Sequence, residues 1–340
     1  MRIALDAMGG DKAPAAPVEG ALEAVRRFDD VELLLVGDVE VLERELAARG
    51  GKPARITLVA SEGVVSMDDE PVRAMKHKPR NSARVTAELL ASGRADGVVN
   101  LGSTGAAVAA ATLFCKRIDG VSRLGIAVPF PRRNGVSVVV DCGGLVDARP
   151  EHLYVYAVMA RHYSRAAFGV AEPKVGILSV GEEEHKGNKL VKETWELFKK
   201  HPMPGFMGNV EGRDPFAAVA DVIVCDGFVG NVMLKAAEGL GEMMLGMLKE
   251  AAPTTPGVLP ILKEMVRKLD YAEYGGAPLL GVRGGYIIGH GRSDGRAVAN
   301  AVRAARDYLL AGVDQKVAAE LAASPLAASP PTGPSGGTPA

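Results

Sequence analysis

Cysteine is scarce in this chain of 340 residues: Cys115, Cys142 and Cys225 are all there is, each within an apolar stretch. An odd, small set in such settings excludes a disulfide framework and reads as reduced core thiols of a cytosolic protein. No C-x-x-C pair and no H-E-x-x-H sequence is present, so no zinc site suggests itself. Excess charge is missing as well: 40 Lys and Arg nearly balance 41 Asp and Glu, which leaves no bulk attraction for nucleic acid. No stretch approaches the ~20 apolar residues of a spanning helix, and the apolar run in MRIALDAMGG is too short for a signal peptide. These absences leave a soluble, cytoplasmic protein that remains free to touch a membrane surface. The P-loop pattern G-x-x-x-x-G-K-[ST] is absent, which disfavours that route to ATP. Gly289-His290-Gly291 is followed by Gly295, one residue too late for the dinucleotide fingerprint G-x-G-x-x-G.

Glycine, by contrast, is plentiful: 41 residues, against an average usage of about 7%. Much of it follows apolar runs, where loops bring backbone close to something else. The stretch KVGILSVGEEEHKGNKLVKETWELFKK at 174–200 shows the arrangement. A β-branched run at 175–180 reads as a buried strand, and Asn188 caps a helix with Leu190, Val191, Thr194, Trp195 and Phe198 on one face. A polar loop before a helix N-terminus is a ready anion site, and Lys186 adds a full charge there.

The same strand–loop–helix unit recurs along the chain. Strands are expected at 2–5, 31–36, 56–60, 97–99, 136–140, 206–210, 222–225 and 286–288, most of them followed by glycine-bearing loops and helices. This repetition predicts an α/β, doubly wound, mainly parallel (Rossmann-like) sheet with helices on both faces. In such sheets the loops at the carboxyl ends of the strands share one crevice. No linker divides the body, so a single domain over 1–311 is expected, followed by a short helix and a disordered Pro/Gly-rich tail over 312–340.

The candidate site is the set of these loop tips. Asp6, Gly9, Gly10 and Asp11 form one; Ser103, Thr104 and Gly105, beside Asn100, form a second. Ser103 and Thr104 can donate to an anion or cap the helix. Lys186 and Asn188, Asn209, and Asp226, Gly227, Asn231 and Lys235 follow, with His290 between two glycines. Glu182, Glu183 and Glu184 must point away or pair with basic groups, because an unpaired acidic cluster repels an anion. With anion holders but no evident metal, the pattern suits a reaction in which the bound anion itself attacks. Around 229–251 the polar positions Asn231, Lys235, Glu238, Glu242 and Lys249 form one narrow stripe, and a second amphipathic helix is expected at 258–269. Together they predict a protruding helical hairpin at 229–270, whose apolar surface packs on its own domain, on a dimer mate or into lipid. Lys76, His77, Lys78, Arg80 and Arg84 form either a solvated basic face or a contact for an acidic partner.

The blocks DAMGGD at 6–11, STGA at 103–106, GEEEHKGN at 181–188, GNVEGRD at 208–214, DGFVGN at 226–231, and YGGAPLLGV with IIGHG at 274–291 stand in order. The chain thereby resembles the phosphate acyltransferases of bacterial phospholipid synthesis, the PlsX type, from residue 2 to about 310. It departs from that pattern at Asn81, Leu145 and Ser179, and by having Asn100 and Ser103 where serine and asparagine are commoner. The resemblance implies acyl transfer from acyl-[acyl carrier protein] to inorganic phosphate, without a cofactor. The acyl phosphate then passes to a membrane glycerol-3-phosphate acyltransferase. It also implies a homodimer held peripherally at the inner face of the cell membrane. On that chemistry, loop amides and Lys186 hold phosphate, while Asn188, Asn209, Asn231 or backbone amides stabilise the oxyanion. His290 or His185 is then a candidate proton donor to the leaving thiolate. A short-chain phosphotransacylase using acyl-CoA, a nicotinamide-dependent dehydrogenase and a non-catalytic membrane scaffold are the competing readings.

Overall fold

Strands that are apolar at consecutive positions are buried on both faces, as parallel strands covered by helices must be. Gly97–Asn100 (β4) and Gly285–Ile288 (β12) are buried throughout, and Arg2–Asp6 (β1) is buried after its first residue. The computed structural model describes residues 1–66, 68–132, 134–251, 260, 265 and 273–324. The second helix expected at 258–269, apart from Pro260 and Met265, and the tail beyond Ser324 lie outside them.

The strands form two sheets where the sequence pattern suggests one. In the first, β1, β4 and β12 join Glu32–Gly37 (β2), Ile56–Ala60 (β3), Gly125–Ile126 (β5) and Ala277–Leu280 (β11) in the order β3-β2-β1-β4-β12-β11-β5. The run from β3 to β12 is parallel, and β11 and β5 add antiparallel. The second contains Val128–Arg132 (β6), Gly135–Val140 (β7), Val175–Ser179 (β8), Phe206–Glu211 (β9) and Val222–Val224 (β10) in the order β6-β7-β10-β8-β9. It is parallel apart from β6.

Alternate residues of each strand feed different cores. Ile3, Leu5, Leu33 and Leu35 pack with helix Ala15–Arg27 (α1), helix Val39–Ala47 (α2) and helix Gly295–Leu310 (α10). Ala4, Val98, Tyr286 and Ile288 face the other way, and share a core with Val139, Leu178, Val210 and Ile223 of the second sheet, which joins the two sheets. Val138, Val140, Ile177 and Val222 pack under helices Pro150–Phe168 (α6), Lys189–Lys200 (α7) and Val313–Ala323 (α11). Helices Pro71–His77 (α3), Ser82–Ala91 (α4) and Thr104–Phe114 (α5) close the first sheet, Asp214–Ala217 (α8) is a single turn, and Gly227–Ala251 (α9) is the longest helix described. Among the described residues, no helix is long and apolar enough to cross a membrane.

Candidate active site

Every loop singled out in the sequence follows the carboxyl end of a strand, and the loops associate in two sets. In the first, Asp6 is buried and its Oδ1 accepts the N–H groups of Met8 and Gly9, each at 3.0 Å. That closes a turn so tight that a Cβ on Gly9 would stand 2.6 Å from the Gly102 nitrogen. The Asp11 N–H donates to Gly291 O at 2.8 Å, which ties the 6–11 loop to the His290 loop. Burial pushes the Asp6 carboxyl above the usual carboxylate range, against hydrogen bonds from Ser82 and the two amides. Ser103 occupies the N-cap of α5 without a side-chain cap bond, and Thr104 and Gly105 open the helix, both exposed.

His290 is half-buried, and its Nδ1 accepts the Arg292 N–H at 3.1 Å. Burial, and then the Arg292 charge, hold it below the usual histidine range, so the imidazole is neutral near pH 7. The stretch Gly291-Arg292-Ser293-Asp294-Gly295 has the spacing of a nucleophile elbow, G-x-S-x-G, which corrects the reading of the sequence as containing none. Ser293 is buried at 6% exposure and lies on a turn whose N–H donates to His290 O, so its hydroxyl is not presented as an elbow requires.

The second set centres on a residue the sequence survey did not select. Asp141, wholly buried at the end of β7, accepts from the amides of Ile126 and Gly144 through Oδ1 and of Leu145 through Oδ2. Desolvation raises its pKa to about 6 despite these donors. The start of α9 rests on this turn. Gly227 N–H donates to Leu145 O at 2.8 Å, and a Cβ on Gly230 would stand 2.0 Å from Asp141 O. Asp226 accepts the Val229 N–H and thus caps α9. Asn231, exposed one residue past Gly230, lies beside Gly143. The available signal was the repeated pattern: Asp141-Cys142-Gly143-Gly144 ends a strand as Asp6 with Gly9 and Gly10 does.

The Lys186 loop completes this set after β8. Glu182 pairs with Arg213 and Glu184 with Lys199, as the acidic cluster requires, and Lys186 is exposed without an ion pair among the described residues. Asn188 caps α7 by accepting the Val191 N–H at 2.9 Å, which leaves its Nδ2 to other partners. Asn209 is buried and its Nδ2 donates to Glu183 O at 2.8 Å, so it holds the loop from below. His185 turns to the outer side of α7, beside Lys192 and Trp195. Lys235 pairs with Glu238 on α9. The basic segment at 73–84 is mostly neutralised internally: Arg73–Glu70, Lys78–Asp69, Arg80–Glu62 and Arg84–Glu88.

The chain matches the family model described as "Fatty acid synthesis protein" over residues 1–316. A phosphate acyltransferase of Desulfitobacterium hafniense is 44% identical over 329 residues, spanning 94% of this chain and 98% of its own length. Those of Geobacter sulfurreducens (44%, covering 94% of each chain) and Bacillus licheniformis (43%, covering 94% of this chain and 96% of that one) are similar. Among solved structures, a phosphotransacetylase from Streptococcus pyogenes has the same fold, with a TM-score of 0.61 at 18% identity, covering 93% of this chain and 94% of that one. Matched along nearly its whole length, this chain belongs to the fatty acid synthesis protein family, whose relatives here are phosphate acyltransferases.

Proposed function

We propose that this protein transfers a long-chain acyl group from acyl-[acyl carrier protein] to inorganic phosphate, producing acyl phosphate for phospholipid synthesis. The observation that carries this reading is the near full-length likeness to phosphate acyltransferases. The geometry fits the chemistry. Lys186 makes no ion pair among the described residues and lies next to the capped N-terminus of α7, so a dianion bound there meets a full cation and helix amides together. A phosphate oxygen attacks the thioester carbonyl, the tetrahedral oxyanion collapses, the C–S bond breaks, and the thiolate takes its proton from solvent. Asn188 and Asn231 are the side-chain donors we assign to the oxyanion, a contribution of about 3–4 kcal/mol per donor. Asn209, committed to Glu183 O, holds the loop in place. Orientation of phosphate against the thioester supplies much of the remainder.

The reading extends to a peripheral membrane location and a homodimer. Val232, Leu240, Met243, Met244 and Met247 of α9 are exposed. Such a face suits lipid or a second copy, and an acyl phosphate with an insoluble chain is best released beside a membrane acyltransferase. The decisive assay supplies purified protein with a long-chain acyl-carrier thioester, with and without orthophosphate. Thiol release and acyl phosphate are expected only with phosphate; equal thioester cleavage without it would refute the proposal. Acetyl-CoA in place of the carrier thioester is expected to be a poor donor.

A further inference from the structure

The chain builds outward from β1 to β2 and β3, then returns to lay β4 on the other side of β1. Loops leaving two such strands diverge, and the gap between them is the usual ligand position in open α/β sheets. Asp6 and Asn100 stand at that divide, one residue beyond the paired Leu5 and Val99. Asn100 is fully buried. Its Oδ1 accepts the Gly102 N–H at 3.0 Å, which directs the carboxamide beneath the segment that opens α5. Among the described residues its Nδ2 has no hydrogen-bond partner. A buried donor left unpaired carries its whole desolvation penalty. Directly above, α5 begins with no side-chain cap and no acidic residue in its first turn, so its leading amides and dipole are uncompensated. The walls are bare backbone, because Gly9 and Gly10 pack against Gly102 and Leu101 with no room for a Cβ at Gly9.

This cradle is separate from the Lys186 set. Helix α9 touches the second set at Gly230 and Asn231, and reaches the first where Glu242 pairs with Arg292 at 2.9 Å. The two sets stand at strand ends of different sheets, β4 in the first and β8 in the second.

We propose that Asn100, the first amides of α5 and the Gly9–Gly10 backbone form a second phosphate-oxyanion subsite, distinct from the one at Lys186. It takes either the phosphodiester of the donor's phosphopantetheine arm or a second orthophosphate. The inference rests on the acyl-transfer reading, since that donor carries a phosphodiester at one end of an extended arm and the reacting thioester at the other. Asp6 and Asp11 are the adverse groups. Asp6 is held through Oδ1 by the amides of Met8 and Gly9 while its Oδ2 lies toward Gly9 and Gly102, and burial raises its carboxyl, which lowers the opposing charge. Asp11 is exposed and therefore screened. The Asn100 amide is shielded from solvent, so the oxyanion meets it as the glycine loop beside it gives way.

Two variants test this in the full-length enzyme. Asn100→Asp keeps an acceptor for Gly102 but removes the donor. Thr104→Glu, at an exposed first-turn position, favours the helix dipole yet repels an anion. KM and kcat are measured for orthophosphate, for the acyl-carrier thioester, and for an acyl-N-acetylcysteamine thioester that lacks the phosphodiester. The expected result is a KM rise of at least about tenfold for a phosphate-bearing substrate, with kcat little changed. A rise for the carrier thioester alone identifies the phosphodiester; a rise for orthophosphate with either donor identifies a second phosphate. Unchanged KM values in Thr104→Glu, with thermal stability equal or higher, would overturn the inference, and that variant decides alone if Asn100→Asp does not fold. A KM rise for the truncated donor to the same degree as for the carrier thioester, with orthophosphate unaffected, would also overturn it. Phosphate-dependent turnover by the unaltered enzyme is a separate readout, so the failure of one reading is distinguishable from the failure of the other.

Discussion

Lys186 makes no ion pair among the described residues, and two of its three neighbouring glutamates are engaged elsewhere, Glu182 with Arg213 and Glu184 with Lys199. Its side chain is exposed, so Lys186→Ala is expected to leave the melting temperature unchanged while lowering phosphate-dependent acyl transfer at least about a hundredfold. Unchanged turnover would remove the residue from the chemistry. Asp141 makes a different prediction. Its folded pKa of about 6 lies above the ordinary 3.8, so between those values the folded protein holds a proton the unfolded chain has released. The Asp141 contribution to stability therefore falls as pH rises from about 4 to about 6, by about 3 kcal/mol at roughly 1.4 kcal/mol per pH unit. Asp141→Asn deletes that slope and leaves the Leu145 N–H facing another donor, a loss of about 1–3 kcal/mol. Denaturant unfolding across this pH range should show the deficit of the variant shrinking as pH rises. At this scale the cap at Asn188 is legible, because an asparagine before an amphipathic run has a local meaning. The roles of Asp141 and Asn100 are not, because their burial depends on strands that meet from distant parts of the chain.

Helix α9 shows how glycine decides an element's position. Gly230 meets the Asp141 carbonyl, whereas among the described residues a Cβ on Gly239 or Gly246 would meet nothing within 4 Å. Alanine gains about 1 kcal/mol over glycine in a helix interior, so Gly239→Ala and Gly246→Ala should raise stability by about that much. Gly230→Ala should do the reverse, since overpacking against immovable backbone costs about 1–3 kcal/mol or more, and it should lower kcat by shifting Asn231. A stabilised Gly230→Ala in thermal melts would show that the helix start is free to move. Elements with continuous apolar runs are legible to within one or two residues, β1, β4 and α5 among them. β6 is not, because Pro129 and Pro131 argue against a strand, and the sheet accepts them there at an edge that needs no second partner. α3 hides in the basic segment at 67–84, although Glu70 caps it and Pro71 opens it.

For the whole molecule, the repeated units predict the α/β class, but not the division into two sheets or the gathering of the loops into two sets. That division follows from β5, β6 and β11, short strands that pair antiparallel and carry no helix after them. The exposed end of α9 sets the remaining prediction. Met243→Glu combined with Met247→Glu removes two apolar side chains together worth about 3–6 kcal/mol when buried. Sedimentation with anionic vesicles should be lost, while turnover of a water-soluble short thioester stays as before; undiminished vesicle binding would assign that face to another partner.

Helix α9 has one foot on the Asp141 turn and a flank held by Arg292. A stiff rod resting on two supports cannot tip at one without lifting at the other. A pull on its far end would therefore reach Asn231 as leverage.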